Sequence, residues 1–413
     1  MPKLLHVNVV ANTGSTGRLA ESLISHAADA GWDTYFAYGR AITQTRATPI
    51  RIGSRFDNYK NALLARVFDN EGFNAKSATK KFVEEIKKVS PDIIHLHNLH
   101  GYYINLEILF AYLRESEIPV VWTLHDCWTF TGHCAYYDLA DCAKWRTQCS
   151  NCPQYKDYPA SFSRDNSRNN FLRKKRLFNS LENLTLAPVS YWLENDLRNS
   201  FLQNQKIRMI HNGLDVSKFK QISDVAAVRQ KYGITKPKVM LGVSNVWHDA
   251  KGLGDFCKLS KMIPDDCQIV LVGVNDEVRK ILPPQIVVIS RTESVEELAK
   301  LYSLADVFVN PTYQEAFGMV NIEALSCGTP VATYNSGGSP ETVDPNTGIV
   351  VEKGNLNALM NAAISMASKK NAELSEACRM RAETFFSTEV YCKNYMELYN
   401  SLIDKSLDKK AAR

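Results

Sequence analysis

The chain reads as an α/β protein of two Rossmann-like domains, and three observations carry that reading. Short apolar runs alternate with helical stretches through both halves, the pattern of parallel sheets covered by helices. The chain has 413 residues, more than a single hydrophobic core sustains. Its first forty residues run strand, glycine turn, helix, strand. Composition is that of an ordinary globular protein, with 45% hydrophobic and 23% charged residues. A net charge of +5 suits anionic ligands or a membrane surface and is too weak to argue for nucleic acid. No apolar run approaches the roughly 18 residues that span a bilayer, and Met1-Pro-Lys leads straight into a strand without a signal-peptide pattern. A cytoplasmic protein is expected, with its ten cysteines reduced.

In chain order, Lys3–Val10 is a buried strand, Ala11–Gly17 a turn, Arg18–Gly31 a helix and Trp32–Tyr38 the next strand. Two glycines spaced Gly-x-x-Gly, Gly14 and Gly17, fall short of the dinucleotide fingerprint. They serve either a tight turn or a loop that approaches a phosphate. Arg40–Arg66 is weakly patterned and holds a loop and one helix; Ala75–Lys88 is a charged helix. The strands Ile93–His97 and Pro119–Leu124 end in His97-Asn-Leu-His100 and His125-Asp126. Ligands of open α/β sheets lie beyond the carboxyl ends of strands, so these histidines fall where a site belongs. Phe162–Leu184 carries Arg164, Arg168, Arg173, Lys174, Lys175 and Arg176 with apolar residues at helical spacing. It is either a solvated helix or a basic amphipathic one lying on an anionic membrane. Leu184–Val189 and Ile207–His211 close the first domain, the latter as its last strand.

Cys134, Cys142, Cys149 and Cys152 fall within nineteen positions, with gaps of seven, six and two residues. In a reducing compartment clustered thiols read as metal ligands, and four thiolates suit a structural zinc. An iron–sulfur cluster and free or redox-active thiols are the alternatives; Cys127 and His133 could replace one ligand. The site would pin an insertion at about 127–160 that has no obvious core of its own.

In the second half, Lys238–Val243 and Ile269–Val272 are strands, Ser244–Gly252 opens a helix, and Val295–Ala305 is a helix. Arg291 follows the strand Ile286–Ser290. The richest stretch is Asn310–Glu341, NPTYQEAFGMVNIEALSCGTPVATYNSGGSPE. A helix that begins near Phe317 offers free N–H groups and a positive dipole end to an anion. Glu315 sits just before it and Glu323 two turns inside. Carboxylates beside an anion site accept from neutral hydroxyls, which suits a ligand carrying both phosphate and sugar. A dipole-favouring Glu and a solvated Glu are the plainer account of each alone.

Glu315 and Glu323, seven residues apart, with Phe-Gly after the first and Gly-x-x-Glu341 beyond the next strand, resemble the donor signature of glycosyltransferase family 4. The resemblance covers most of the chain and implies a retaining glycosyltransferase of GT-B fold, two Rossmann-like domains facing each other across a cleft. It implies an acceptor-binding domain at 1–214, a nucleotide-sugar domain at 215–388 and a helix crossing back within 389–413; by its own composition and terminal position Lys405–Arg413 reads as a basic, disordered tail. Lys251-Gly252 resembles the Lys-Gly that holds the donor diphosphate; the Arg usually about five residues earlier is missing, and Arg291 is a candidate substitute. Thr-Leu-His125-Asp resembles the segment whose His reaches the transferred sugar, and Gly14 and Gly17 the loop near the diphosphate. The implied catalytic residues are His125, Lys251 and Glu315. The implied donor contacts add Arg291, the backbone of Phe317, Gly318 and Met319, then Glu323 and Glu341. No Asp-x-Asp occurs, so no catalytic metal is expected. The implied acceptor is a glycan, lipid-linked by analogy, with peripheral contact to an anionic membrane and no nucleic acid. Similar cysteine-rich insertions mark a subgroup tied to surface polysaccharide assembly. A GT-B epimerase or phosphorylase, or a non-catalytic zinc-stapled binding protein, are the competing readings.

Overall fold

The structure, a computed structural model, describes residues 1–411, and side chains through residue 406. Its first unit, Met1–His211 together with the chain from Cys392, contains β1 (Lys3–Ala11), α1 (Gly14–Asp29), β2 (Asp33–Ile42), β3 (Thr48–Arg51), α2 (Arg55–Phe68), α3 (Lys76–Val89), β4 (Ile93–Leu96), α4 (Leu106–Ser116), β5 (Val120–Leu124), α5 (Ser167–Phe178), β6 (Leu184–Pro188), α6 (Tyr191–Arg198) and β7 (Lys206–Ile207). The second unit, Asn212–Tyr391, contains α7 (Ala226–Lys231), β8 (Lys238–Val243), α8 (Leu253–Leu259), β9 (Cys267–Val272), α9 (Asp276–Arg279), β10 (Val287–Ile289), α10 (Val295–Leu304), β11 (Val307–Asn310), α11 (Met319–Ser326), β12 (Val331–Tyr334), β13 (Gly348–Val351), α12 (Leu356–Lys369) and α13 (Ala372–Phe386). The last helix, α14 (Thr388–Ala411), starts in the second unit and continues in the first.

Each unit holds one all-parallel sheet. The first has seven strands in the order β3-β2-β1-β4-β5-β6-β7, the second six in the order β10-β9-β8-β11-β12-β13. The central strands are buried along nearly their whole length, which is why they read as unbroken apolar runs rather than alternating ones. Strand order reverses between β1 and β4 and again between β8 and β11. Those two switch points place the loops after β1 and β4, and after β8 and β11, where such sheets take ligands.

Several local expectations are corrected. Helix α1 begins at Gly14, not Arg18, so Gly17 lies inside its first turn. A Cβ on Gly17 would sit 3.2 Å from the Val10 carbonyl and the Asn12 nitrogen. Gly17 therefore permits close helix–strand packing rather than lining a phosphate loop, and Gly14, exposed at φ +65°, is the glycine left at the helix start. The stretch read as loop plus helix also contains the edge strand β3, masked in the sequence by Pro49 and mostly exposed residues. Residues 207–211 do not form a full last strand; β7 is two residues long. The basic tail is helical through Ala411, and its last two residues lie outside the described range. Residues 342–390, which carry no sequence assignment, hold β13, α12 and α13.

The insertion also differs from expectation, because it has a core. Trp145 is 1% exposed and packs against Phe130 and Tyr137 at ring separations of 5.0 and 5.1 Å. Tyr137 donates to Asp196 Oδ2 at 2.6 Å, tying the insertion to α6. Helix α5 turns part of its basic face inward. Lys174 is buried, donates to the carbonyls of Trp128 and Thr131, and lies 3.4 Å from the Trp128 ring centroid. Burial pulls its amine down to about 7. Arg173 pairs with Glu107, so Arg164, Arg168, Lys175 and Arg176 are the exposed cations of this stretch.

Candidate active site

In the second unit the switch point is furnished by two loops. After β8 the chain makes a short 3-10 turn, Asp249–Lys251, and enters α8 through Gly252. Gly252 holds φ +72°, and a Cβ there would lie 2.3 Å from the Pro311 carbonyl. Only glycine lets this loop seat against the exit of β11. The seating brings together residues 64 positions apart: Lys251 Nζ is 2.8 Å from Glu315 Oε2 and donates to the Gln314 carbonyl at 3.1 Å. Both side chains keep partial exposure, 30% and 19%.

Glu315 is held from the other side by the glycine loop. Gly338 N–H donates to the Glu315 carbonyl at 3.0 Å. At Gly337, with φ +54°, a Cβ would fall 1.8 Å from that same carbonyl. Gly318, at φ +108°, turns the chain into α11, whose first-turn N–H groups at Met319 and Val320 lack intrahelical acceptors. Phe317 and Gly318 thus precede the helix rather than opening it. Behind this turn lies a buried amide network that sequence reasoning missed. Asn321 accepts from Asn310 Nδ2 and donates to Ser339 Oγ and Thr342 Oγ1, each at 2.8–2.9 Å. The available signal was a polar residue inside an apolar helical run. Glu323 accepts from the buried Tyr302 hydroxyl at 2.8 Å, which orients its carboxylate. Arg381 on α13, also missed, donates to the carbonyls of Glu341, Thr342 and Val343 and pairs with Asp344. It fixes the turn that carries Glu341.

Arg291 is not brought to this pair. It leaves the edge strand β10, two strands from β8 and three from β11, and is exposed. Trp247, in the position region where a second cation was sought, is 6% exposed and donates to the Val272 carbonyl, so it belongs to the core.

In the first unit the histidines separate into three groups. His95 is core: its Nδ1 meets the Tyr399 hydroxyl at 2.5 Å and its Nε2 meets Thr123 Oγ1 at 2.7 Å. His100 bridges Asp126 Oδ2 at 2.8 Å and the Tyr158 hydroxyl at 2.9 Å. His125 ends a line of rings, with His6 Nδ1 2.9 Å from His97 Nε2 and His97 Nδ1 3.3 Å from His125 Nε2. Burial lowers all three, His6 to about 3, His125 to about 4 and His97 well below the usual range, so they are neutral near pH 7. A neutral imidazole has one N–H, so His97 must donate to one neighbour and accept from the other. The three rings therefore share one tautomer, and His125 presents a single polarity at Nδ1. Among the described residues, His6, His95 and His97 are the one group of metal-capable side chains drawn within 4.8 Å. The hydroxyl partners of His95 already occupy both its nitrogens.

Cys134, Cys142, Cys149 and Cys152 line one pocket, together with His133 and Trp145. Gly132 N–H points at Cys149 Sγ, 3.2 Å away. Hydrogen bonding from Cys134 brings the Cys152 thiol down to about 7, while that same bond and burial push Cys134 up, and burial raises Cys149 to about 11. All are free thiols. The two candidate substitutes drop out. His133 has Nδ1 on Asp69 at 2.5 Å and Nε2 facing the Asp157 carbonyl at 3.3 Å, and Cys127 is buried outside this pocket. Among the described residues, no three of these sulfurs lie within 4.8 Å of one another, so the pocket gathers the thiols without drawing them up around one point.

Two parallel-sheet Rossmann-like units, each with a switch point in its strand order, define the GT-B fold. The family model for Glycosyltransferase Family 4 matches residues 16–218 and that for Glycosyl transferases group 1 matches residues 237–369. The chain belongs to glycosyltransferase family 4. It is similar to WcaC of Escherichia coli strain K12, assigned by name to colanic acid biosynthesis as a glycosyl transferase, at 23% identity over 97% of this chain and 100% of WcaC. It is 22% identical to the N-acetyl-alpha-D-glucosaminyl L-malate synthase of Bacillus anthracis over 95% of each chain. Among solved structures, sucrose-phosphate synthase of Thermosynechococcus elongatus superposes with a TM-score of 0.71 at 21% identity, covering 98% of this chain and 100% of that one. Anabaena HepE in complex with UDP and glucose superposes with a TM-score of 0.68 at 17% identity, covering 97% and 100%.

Proposed function

We propose that the protein is a retaining hexosyltransferase that moves a sugar from a nucleotide-sugar to a glycan acceptor, lipid-linked, in polysaccharide biosynthesis. The observation that carries this is the Lys251–Glu315 pair at the β8/β11 switch point, beside the start of α11. Lys251 and the first-turn N–H groups of α11 supply fixed positive charge for a leaving diphosphate, a role that needs no metal. Glu315 accepts from sugar hydroxyls and Glu323 from the ribose. Gly14, His125 and the loops after β4 and β5 belong to the donor phosphate, the transferred sugar and the acceptor. Zinc on Cys134, Cys142, Cys149 and Cys152 holds the insertion, a closed site without chemistry of its own. The name of WcaC supports the polysaccharide assignment, and the nucleotide bound to HepE supports the donor class. The protein works at the cytoplasmic face of an anionic membrane; no described helix is long and apolar enough to cross one.

A nucleotide-sugar panel read by thermal shift identifies the donor, since a ligand that binds only the folded state raises the melting temperature. Nucleotide release that requires an acceptor distinguishes a transferase from an epimerase, which needs none, and from a binding protein, which releases none. Glu315→Gln and Glu323→Gln keep volume and remove charge. Each should lose about tenfold or more in kcat/KM without unfolding. Near wild-type turnover in both would take these residues out of the site.

A further inference from the structure

Helix α2 is built inside out. The residues it buries are Asn61 and Ala65. Asn61 donates to the Tyr102 carbonyl at 3.1 Å and accepts from Ala75 N–H at 3.2 Å, and Asn58 donates to the Gly39 carbonyl at 2.7 Å. Polar contacts thus dock the helix, while its large apolar residues face outward. Phe56, Tyr59, Leu63 and Val67 are 74%, 77%, 57% and 41% exposed. Their spacing of three, four and four residues aligns them along one helical face. Phe162, 60% exposed, extends the stripe, because its N–H donates to the Arg66 carbonyl at the end of α2. Such a run is unusual on a soluble surface and marks an interaction site.

The helix is firmly anchored rather than loosely laid on the surface. Ser54 and Asp57 form a capping box at its start. At its end the Asp69 carboxylate is bound by His133 and by Asn166 N–H. The exposed charges on α2 are of one sign, Arg55, Lys60 and Arg66; Phe162 is flanked by exposed Arg164 and Asp165, the latter with its carboxylate engaged by the N–H groups of Cys152 and Ser167. The one acid on α2, Asp57, is engaged in the cap.

We propose that α2, with Phe162, is the element that seats this protein on an anionic bilayer, its apolar stripe in the headgroup boundary and its cations on lipid phosphates. Aromatic and aliphatic side chains flanked by Lys and Arg match both halves of such a surface. A second copy of the chain matches less well, since a two-fold contact would set these cations against their own equivalents. The seating deepens the membrane role proposed above and moves its apolar anchor from α5 to α2. A lipid-linked acceptor would then be met where its chain is embedded.

The test is flotation of the full chain with vesicles of phosphatidylglycerol and phosphatidylcholine, against phosphatidylcholine alone. Wild-type protein should float with the anionic vesicles and less so as salt rises. The triple variant Phe56→Ser, Tyr59→Ser, Leu63→Ser should lose about tenfold or more of that partitioning. Its circular dichroism and melting temperature should match wild type, because none of the three side chains is buried. Tyr59→Trp should shift its fluorescence to the blue on adding anionic vesicles. If the triple variant floats like wild type, membrane contact stands and α2 is not its anchor. If wild type ignores anionic vesicles, the membrane role itself fails, whereas a wild-type dimer that the triple variant abolishes would make the stripe a self-association face.

Discussion

Lys251→Ala should lower nucleotide-release kcat by about 10²–10³-fold, equivalent to about 2.7–4 kcal/mol of transition-state stabilisation. The reason is that charge builds on the leaving diphosphate as the sugar–phosphate bond lengthens, and an ammonium fixed in place beforehand stabilises that state most. The fall should therefore lie mainly in kcat rather than KM. Stability should change little, because the Lys251–Glu315 pair is partly solvated and such pairs contribute modestly. Glu315→Gln in the same background should cost less than it does alone, since the two side chains touch and their effects couple. A kcat within about threefold of wild type would remove Lys251 from the diphosphate site.

Cys149→Ser should abolish stoichiometric zinc and lower unfolding free energy by about 3 kcal/mol or more. Burial raises the Cys149 thiol and the Gly132 N–H only partly offsets it, and a Cβ on Gly132 would clash with the Ser167 carbonyl at 2.2 Å. The packing of Trp145, Phe130 and Tyr137 should keep part of the insertion ordered, so the loss is expected to be local. The proposed nucleotide site belongs to the second unit, so donor binding should survive, with an unchanged thermal shift on adding donor. Elemental analysis after reducing, chelator-free purification reads the metal directly. Less than stoichiometric zinc in the wild-type protein would leave four free thiols and end the assignment.

Much of the fold was legible because its signals are local. The strand Lys238–Val243 is a lysine followed by five apolar residues, and it is β8 residue for residue. The helix read at Val295–Ala305 is α10, Val295–Leu304, capped by Ser294, which accepts from Glu297 N–H. Boundaries failed where two local preferences compete. Gly14 and Gly17 look like punctuation, yet α1 runs through them because close packing on β1 favours a residue without a side chain. Strand β3 was invisible because an exposed edge lacks the apolar pattern of its neighbours.

By itself the sequence determined the two-sheet α/β plan, the segment from Asn310 to Glu341 as the richest in site chemistry, and the four clustered thiols. Each is written in neighbouring residues, through hydrophobic period, helix caps and short spacings. Tertiary structure alone decided which distant groups meet. It joined Lys251 to Glu315 across 64 residues and left Arg291 on an edge strand. It gave His133 to Asp69 instead of the cysteines, lined His6 and His97 behind His125, and buried Lys174 while turning the apolar face of α2 outward. Those outcomes depend on strand order, close packing and the partner each buried polar group finds, and none of these is a property of neighbouring residues.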